Sequence, residues 1–269
     1  MARPVTLLSD YGLADEFVGV VHAVIARLCP DARVIDLGHG VPRQDVLAGA
    51  LMLARALPYA PPGVHLAVVD PEVGARRRAV ALRTAEEDRL LVGPDNGLLV
   101  PAADRFGGIV QAVEISASPW RLEPVSATFH GRDLFAPVAA RLAGGAELAE
   151  AGPPLEPDEL VRLDLPTARV EDGALVVAVT GTDGFGNVVL AGTHGDLAAA
   201  GLTLGRAVAA RAGGRRVRGV VARTFADVAR GELLLYEDAG GALALAVNGG
   251  DAAALLGVRG GDALRLEPA

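Results

Sequence analysis

VTLLSDYGLADEFVGVVHAVIARLCPDARVIDL, Val5 to Leu37, decides the architecture of the first half of the chain. Val5-Thr6-Leu7-Leu8 is a short apolar run of strand type, followed by a turn that contains Gly12. Phe17, Val20, Val21, Val24 and Leu28 then recur at a 3.6-residue period, which predicts a helix over about Asp15 to Leu28. Val34-Ile35-Asp36-Leu37 is again a strand. Strand, helix and strand of these lengths make a βαβ unit, and such units build a mostly parallel sheet covered on both faces.

The alternation continues. Asp45 to Leu57 predicts a second helix with Val46, Ala50, Leu53 and Leu57 on one face, and further strands follow at His65–Asp70, Ala79–Thr84 and Arg89–Val92. Ligands of such sheets bind at the carboxyl ends of the strands. Polar groups recur there: Asp10 after the first strand, Asp36 in or at the end of the second, Asp70 at the end of the third, and Asp95-Asn96-Gly97 after the fifth. Turn chemistry alone accounts for any one of them; their recurrence favours a site on one edge of the sheet.

From Gly144 the composition shifts to Pro, Gly and acids, which reads as a linker. We therefore expect an N-terminal α/β domain over 1–150, a linker over 151–172 and a smaller C-terminal β domain over 173–269. In the last part, short strands at Ala174–Thr180, Asn187–Leu190, Arg218–Arg223, Glu232–Tyr236, Ala242–Val247 and Ala263–Leu266 suggest a small antiparallel barrel or sandwich.

Composition excludes several chemistries. All 25 basic residues are arginine, so no lysine is available for a Schiff base, a P-loop or general-base catalysis. A formal net charge of −8 argues against a nucleic-acid partner; the locally basic Arg211–Arg218 reads as a solvated loop. Cys29 is the single cysteine, which leaves no intramolecular disulfide and no multi-cysteine zinc site. His22, His39, His65, His130 and His194 show no HxxxH or HxH spacing, so no metal is expected. No apolar run reaches the roughly 20 residues of a membrane span, and a cytoplasmic enzyme or binding protein is the expectation.

Three stretches carry chemistry. VVDPEVGARRRAV, Val68 to Val80, sets Asp70 and three arginines, Arg76 to Arg78, between two apolar runs. It reads either as a polar hairpin in solvent or as an acid and a guanidinium facing a site. TFHGRDLFAPVAA, Thr128 to Ala140, sets His130 just before a helix start, with Asp133 suited to the first turn. VTGTDGFGNVVL, Val179 to Leu190, offers Phe185 and Asn187 among glycines, an aromatic face and a bidentate amide suited to a purine, or else a plain turn.

Together with SDYGLADEFVGVVHAVI, VIDLGHGVPRQDVLAGALML, LVGPDNGLL and AVNGGDAAALLGVRGGD, these stretches follow the order of motifs in the S-adenosyl-L-methionine (SAM) hydrolases. That family, the SAM hydroxide adenosyltransferases, is related to the fluorinase and chlorinase, and the resemblance runs from Ser9 to Asp262. It implies hydrolysis of SAM to adenosine and L-methionine by attack of water on the ribose C5′, with SAM as substrate and no cofactor. It implies Asp70, Arg77 and His130 around the attacking water, and Arg76 and Arg78 as solvated neighbours. Asp10 is implied on the ribose hydroxyls, Phe185 and Asn187 on adenine, Asp183 near the methionine amine and Asn248 on the adenine side. It also implies a homotrimer with sites between the N-terminal domain of one subunit and the C-terminal domain of the next.

Two departures stand out: Glu72 where the family usually has glycine, and Glu237-Asp238-Ala239-Gly240 where it usually offers Ser or Asn beside Gly for the methionine carboxylate. The alternatives are a halogenase, which would need Asp70, Arg77 and His130 to be absent, a non-catalytic SAM or adenosine sensor, and a purely structural trimer.

Overall fold

The computed structural model describes residues 1–269. It divides into two compact units, Met1–Leu163 and Asp164–Ala269, so the division falls inside the stretch expected as a linker. No helix is long and apolar enough to cross a membrane.

In the first unit β1 (Val5–Ser9) leads through α1 (Phe17–Leu28) to β2 (Val34–Gly38), then α2 (Val46–Ala56), β3 (Val64–Val68), β4 (Ala79–Thr84), β5 (Leu90–Pro94), α3 (Val100–Asp104), β6 (Ile109–Glu114), α4 (Ala136–Ala143) and β7 (Pro154–Leu155). The sheet order is β2-β1-β3-β5-β4-β6-β7. β2, β1, β3 and β5 run parallel, whereas β4, β6 and β7 extend the sheet antiparallel. Since β5 lies between β3 and β4, the Asp70–Arg78 segment is a crossing loop and not the tip of a hairpin.

Alternate residues fill two cores, as the strand period requires. Leu7, Leu66 and Val68 pack with Val21 and Ile25 of α1 and Val138 of α4, while Leu8, Ala67 and Val69 pack with Ala50 and Leu53 of α2 and Ala102 of α3. Each fully buried leucine contributes roughly 2 kcal/mol of apolar transfer. Asp45 starts α2 by accepting the Ala48 N–H at 2.9 Å. Within the expected linker, β7 pairs with β6 and the turn Pro157–Glu159 stays with the first unit.

The second unit contains β8 (Arg169–Glu171), β9 (Ala174–Thr182), β10 (Val188–Leu190), α5 (His194–Ala199), β11 (Ala207–Ala212), β12 (Arg215–Val221), β13 (Leu233–Glu237), β14 (Leu243–Val247), α6 (Ala252–Leu256) and β15 (Ala263–Pro268). The order β10-β14-β13-β12-β11-β15-β9 is closed by pairing of β10 with β9, making a barrel, and β8 adds to β9 outside the ring. Its pairings are antiparallel except β12 with β13. Leu175, Val177, Val179, Leu233, Leu235, Leu243, Leu245, Leu264 and Leu266 fill the interior at every second position. The basic stretch expected as a solvated loop is instead the β11–β12 hairpin. Two of its arginines are hydrogen-bonded within the chain: Arg211 bonds Glu267 at 2.7 Å, and Arg215 donates to the Ala254 and Leu255 carbonyls at 2.9 Å.

Candidate active site

β3 ends at a loop whose shape is set by Asp70. Both Asp70 oxygens accept from Arg77 Nε, at 2.9 and 3.0 Å, and Oδ2 also takes Arg77 Nη2. The two side chains are only 5% and 4% exposed, a nearly dry ion pair held by several charge-assisted bonds. Arg77 Nη2 also lies 2.9 Å from His130 Nδ1, and its guanidinium sits 5.3 Å from the centre of the Phe135 ring. Asp70, Arg77 and His130 are thus brought together from two segments 53 residues apart. A guanidinium carries donors only, so His130 Nδ1 must present a lone pair and the neutral ring holds its proton on Nε2.

Burial lowers the His130 pKa, and Arg77 lowers it further, against the opposing charges of Asp70 and Asp133. The ring is therefore neutral near pH 7. The segment after it begins with a wide π turn, Gly131–Phe135, before α4. Asp133 closes the preceding loop, accepting Ser126 N–H at 2.8 Å and Arg132 Nε at 2.6 Å.

Asp10 and Tyr11 complete this cleft, which is lined by Asp10, Tyr11, Val68, Asp70, Val73, Thr128, His130 and Gly131. It continues past Asp10 and Tyr11 to Asp15, Phe17, Arg43 and Gln44. Asp10 Oδ2 accepts the Gln44 N–H at 2.9 Å. Tyr11 packs edge-on against Phe129, with ring centres 5.9 Å apart, and burial with the nearby Asp10 and Asp70 charges raises its pKa, keeping the phenol protonated. A Cβ on Gly131 would overlap the Tyr11 hydroxyl, so glycine there makes room for the phenol. The sequence reading did not single out Tyr11; its place between a strand-end acid and Gly12 was the available signal.

The other strand-end acids have local duties. Asp95 holds Arg78 Nε at 2.8 Å and Val161 N–H at 2.9 Å, so Arg78 is a clasp and not a solvated neighbour. Asn96 bonds the Val69 carbonyl at 2.9 Å. Arg76 is exposed, as is Glu72. Glu72 is not among the non-glycine residues with positive φ, so the left-handed backbone falls on Gly74, at φ +79°, and the triad forms with glutamate at 72.

In the second unit Asp183, Phe185 and Asn187 share one turn between β9 and β10. Asp183 Oδ1 accepts the N–H groups of Phe185 and Asn187, both at 2.9 Å, and Oδ2 accepts Asn187 Nδ2 at 2.8 Å. These bonds fix the Asn187 amide and leave its Oδ1 and second N–H free. Phe185 is 83% exposed, an aromatic face offered to a ligand or a neighbour. The Gly186 carbonyl accepts from Ala252 and Ala253 at the start of α6, which braces the turn. Asn248 stands apart from that turn's hydrogen bonds, donating to the Val228 carbonyl at 2.9 Å. Asp238 accepts Gly240 and Ala242 N–H groups in the β13–β14 turn. A cavity of about 490 Å³ beside α5 is larger than the Asp70 cleft, but its floor of Leu197, Leu202 and Val221 brings no buried polar groups together.

Family models for the N- and C-terminal domains of the SAM hydroxide adenosyltransferases match residues 5–152 and 177–265. The chain belongs to this family. A protein named (R)-S-adenosyl-L-methionine hydrolase from Salinispora tropica is 54% identical over 97% of each chain. One of the same name from Thermus thermophilus is 41% identical over 98% of this chain and 99% of its own. A fluorinase from an Actinoplanes species is 29% identical over 91% and 90%. Among solved structures, a conserved protein from Thermotoga maritima is 36% identical with a TM-score of 0.90, covering 98% of this chain and 99% of that one.

Proposed function

We propose that this family member hydrolyses SAM to adenosine and L-methionine, with water attacking the ribose C5′ and the neutral thioether leaving. The single observation that carries the reading is the buried Asp70–Arg77 pair and its contact with the half-buried His130 beside Asp10. Its relatives' name specifies the (R) sulfonium, so that epimer is the proposed substrate.

Making free hydroxide from water of pKa 15.7 at pH 7 costs about 12 kcal/mol, so the proton leaves as the C–O bond forms. Arg77 stabilises the developing oxyanion charge. His130, its Nδ1 occupied by Arg77, donates from Nε2 and aims the water; it does not take the first proton. Asp70 holds Arg77 rather than His130; since Arg77 and His130 Nε2 are both donors, its carboxylate takes the proton that the water loses, and the other hydrogen stays on the adenosine 5′ hydroxyl. Sulfonium and anion neutralise one another on the way to the transition state, which a water-poor cleft favours.

Phe185 stacks on adenine and Asn187 pairs with its edge. Asp183 spends both oxygens in the turn, so it orients Asn187 and offers the methionine amine charge alone. Asp10 takes the ribose hydroxyls, and Asn248 lies on the adenine side. The proposal includes a cytoplasmic homotrimer in which Phe185 of one subunit meets the triad of the next. The test is chromatographic: wild-type protein with each SAM epimer yields equal amounts of adenosine and methionine from the (R) form. Intact SAM in the presence of tight binding favours the sensor instead.

A further inference from the structure

Behind the Asp10–Tyr11 loop lies a second set of polar side chains that the triad does not use. Ser9 Oγ is 2.8 Å from His39 Nδ1, His39 Nε2 is 3.1 Å from Asp36 Oδ1, and the same oxygen is 2.8 Å from His22 Nε2. Ser9 is fully buried and the His39 side chain is 4% exposed, while Asp36 at 43% reaches solvent. The Nε2 approach to Asp36 is close but oblique, without hydrogen-bond geometry.

The directions of these contacts follow from the acid. Burial works to raise the Asp36 pKa, but the two imidazoles beside it, His22 and His39, outweigh it and keep the group a carboxylate. A carboxylate oxygen 3.1 Å from Nε2 repels a lone pair and favours a proton there even at an oblique angle, so the neutral His39 ring presents its Nδ1 lone pair to the Ser9 O–H. Ser9 Oγ is then free to accept the Tyr11 N–H, at 3.3 Å. The His39 carbonyl separately accepts the Gly12 N–H at 2.8 Å. The order Ser, His, Asp is that of a hydrolytic triad. A serine without solvent access is no nucleophile, and both hydrogen bonds of His39 end on the segment that carries Asp10.

We propose that His39 is a positioning residue: through Ser9 Oγ it holds the Ser9–Gly12 loop so that Asp10 and Tyr11 line the cleft, and it thereby sets affinity for the ribose end of the substrate. This rests on the hydrolase reading. Asp36 braces the imidazole, with His22 as its second support, which gives a duty to a strand-end acid that, like Asp95, lies outside the cleft.

The experiment compares SAM turnover, adenosine affinity by calorimetry and thermal midpoint for wild type, His39→Ala, His39→Asn, His39→Gln, Ser9→Ala and the Ser9→Ala/His39→Ala double variant. His39→Ala is expected to raise KM and the adenosine Kd about tenfold, with most of the loss in KM, in line with one lost buried hydrogen bond. Asn places its Oδ1 where Nδ1 stood, so His39→Asn recovers affinity to within about threefold; Gln reaches only toward Asp36 and does not. The double variant loses no more than either single one, because the two residues act through one bond.

Wild-type affinity in His39→Ala overturns the inference. So does equal loss in the Ala and Asn variants that tracks the thermal midpoint, which is the signature of a purely structural role. A wild type that binds adenosine without turning over SAM sinks the hydrolase reading alone, since the adenosine titration still reads the loop. A wild type that binds no adenosine overturns both.

Discussion

At the scale of single residues, the chemistry turns on what Arg77 does to its neighbours. Arg77→Ala is expected to lower kcat about 100-fold or more, the usual cost of losing a donor to developing negative charge, with adenosine Kd changed less than about threefold. Calorimetry beside steady-state kinetics checks it. Because His130 is read as a donor at Nε2, His130→Gln retains more turnover than His130→Ala; equal losses contradict the assignment. The His130 pKa lies below its ordinary value, so the neutral ring persists as pH falls past 6.5. The acid limb of kcat/KM is therefore expected below pH 6.5, where protonation of Nδ1 ends the contact with Arg77. The sequence brought Asp70 and His130 forward as candidates, but that Arg77 bridges the two depends on a crossing loop whose path no spacing encodes.

At the scale of elements, one glycine in each unit makes room for a neighbouring side chain. A side chain at Gly131 overlaps the Tyr11 hydroxyl, and one at Gly186, already at φ +80°, meets the Asp251 carboxylate that starts α6. Gly186→Ala is expected to weaken adenosine binding about tenfold while leaving the first unit's thermal midpoint unchanged, as calorimetry and differential scanning would read. Strand and helix positions in the first 100 residues were legible because apolar period and turn chemistry agree there. The antiparallel direction of β4 was not, since a buried strand between two others reads the same either way. β11, Ala-Val-Ala-Ala-Arg-Ala, escaped notice because alanine has weak strand preference and only its partners β12 and β15 place it. Arg78 was misjudged for a related reason: its partner Asp95 is distant in sequence and adjacent only across the sheet.

At the scale of the whole molecule, stability and assembly give further tests. His65 is fully buried between Thr6 and Arg89, and burial, reinforced by the Arg89 charge, lowers its pKa to about 3. The unfolded chain takes up this proton first as pH falls, so the stabilisation is complete above pH 6.5 and is lost on the way down toward pH 3. The loss is on the order of 5 kcal/mol at 1.36 kcal/mol per unit. His65→Gln is expected to flatten that part of the thermal-midpoint profile. For assembly, co-expressed Arg77→Ala and Phe185→Ala chains, each inactive alone, should recover about a quarter of wild-type turnover if each site draws on two subunits of a symmetric oligomer. No recovery places each site within one chain. The proposed chemistry itself is tested most directly by incubating the protein with SAM in oxygen-18 water and measuring the mass of the adenosine formed. One heavy oxygen, located at the 5′ hydroxyl, is the predicted result; unlabelled adenosine, or SAM returned intact, contradicts water attack at C5′.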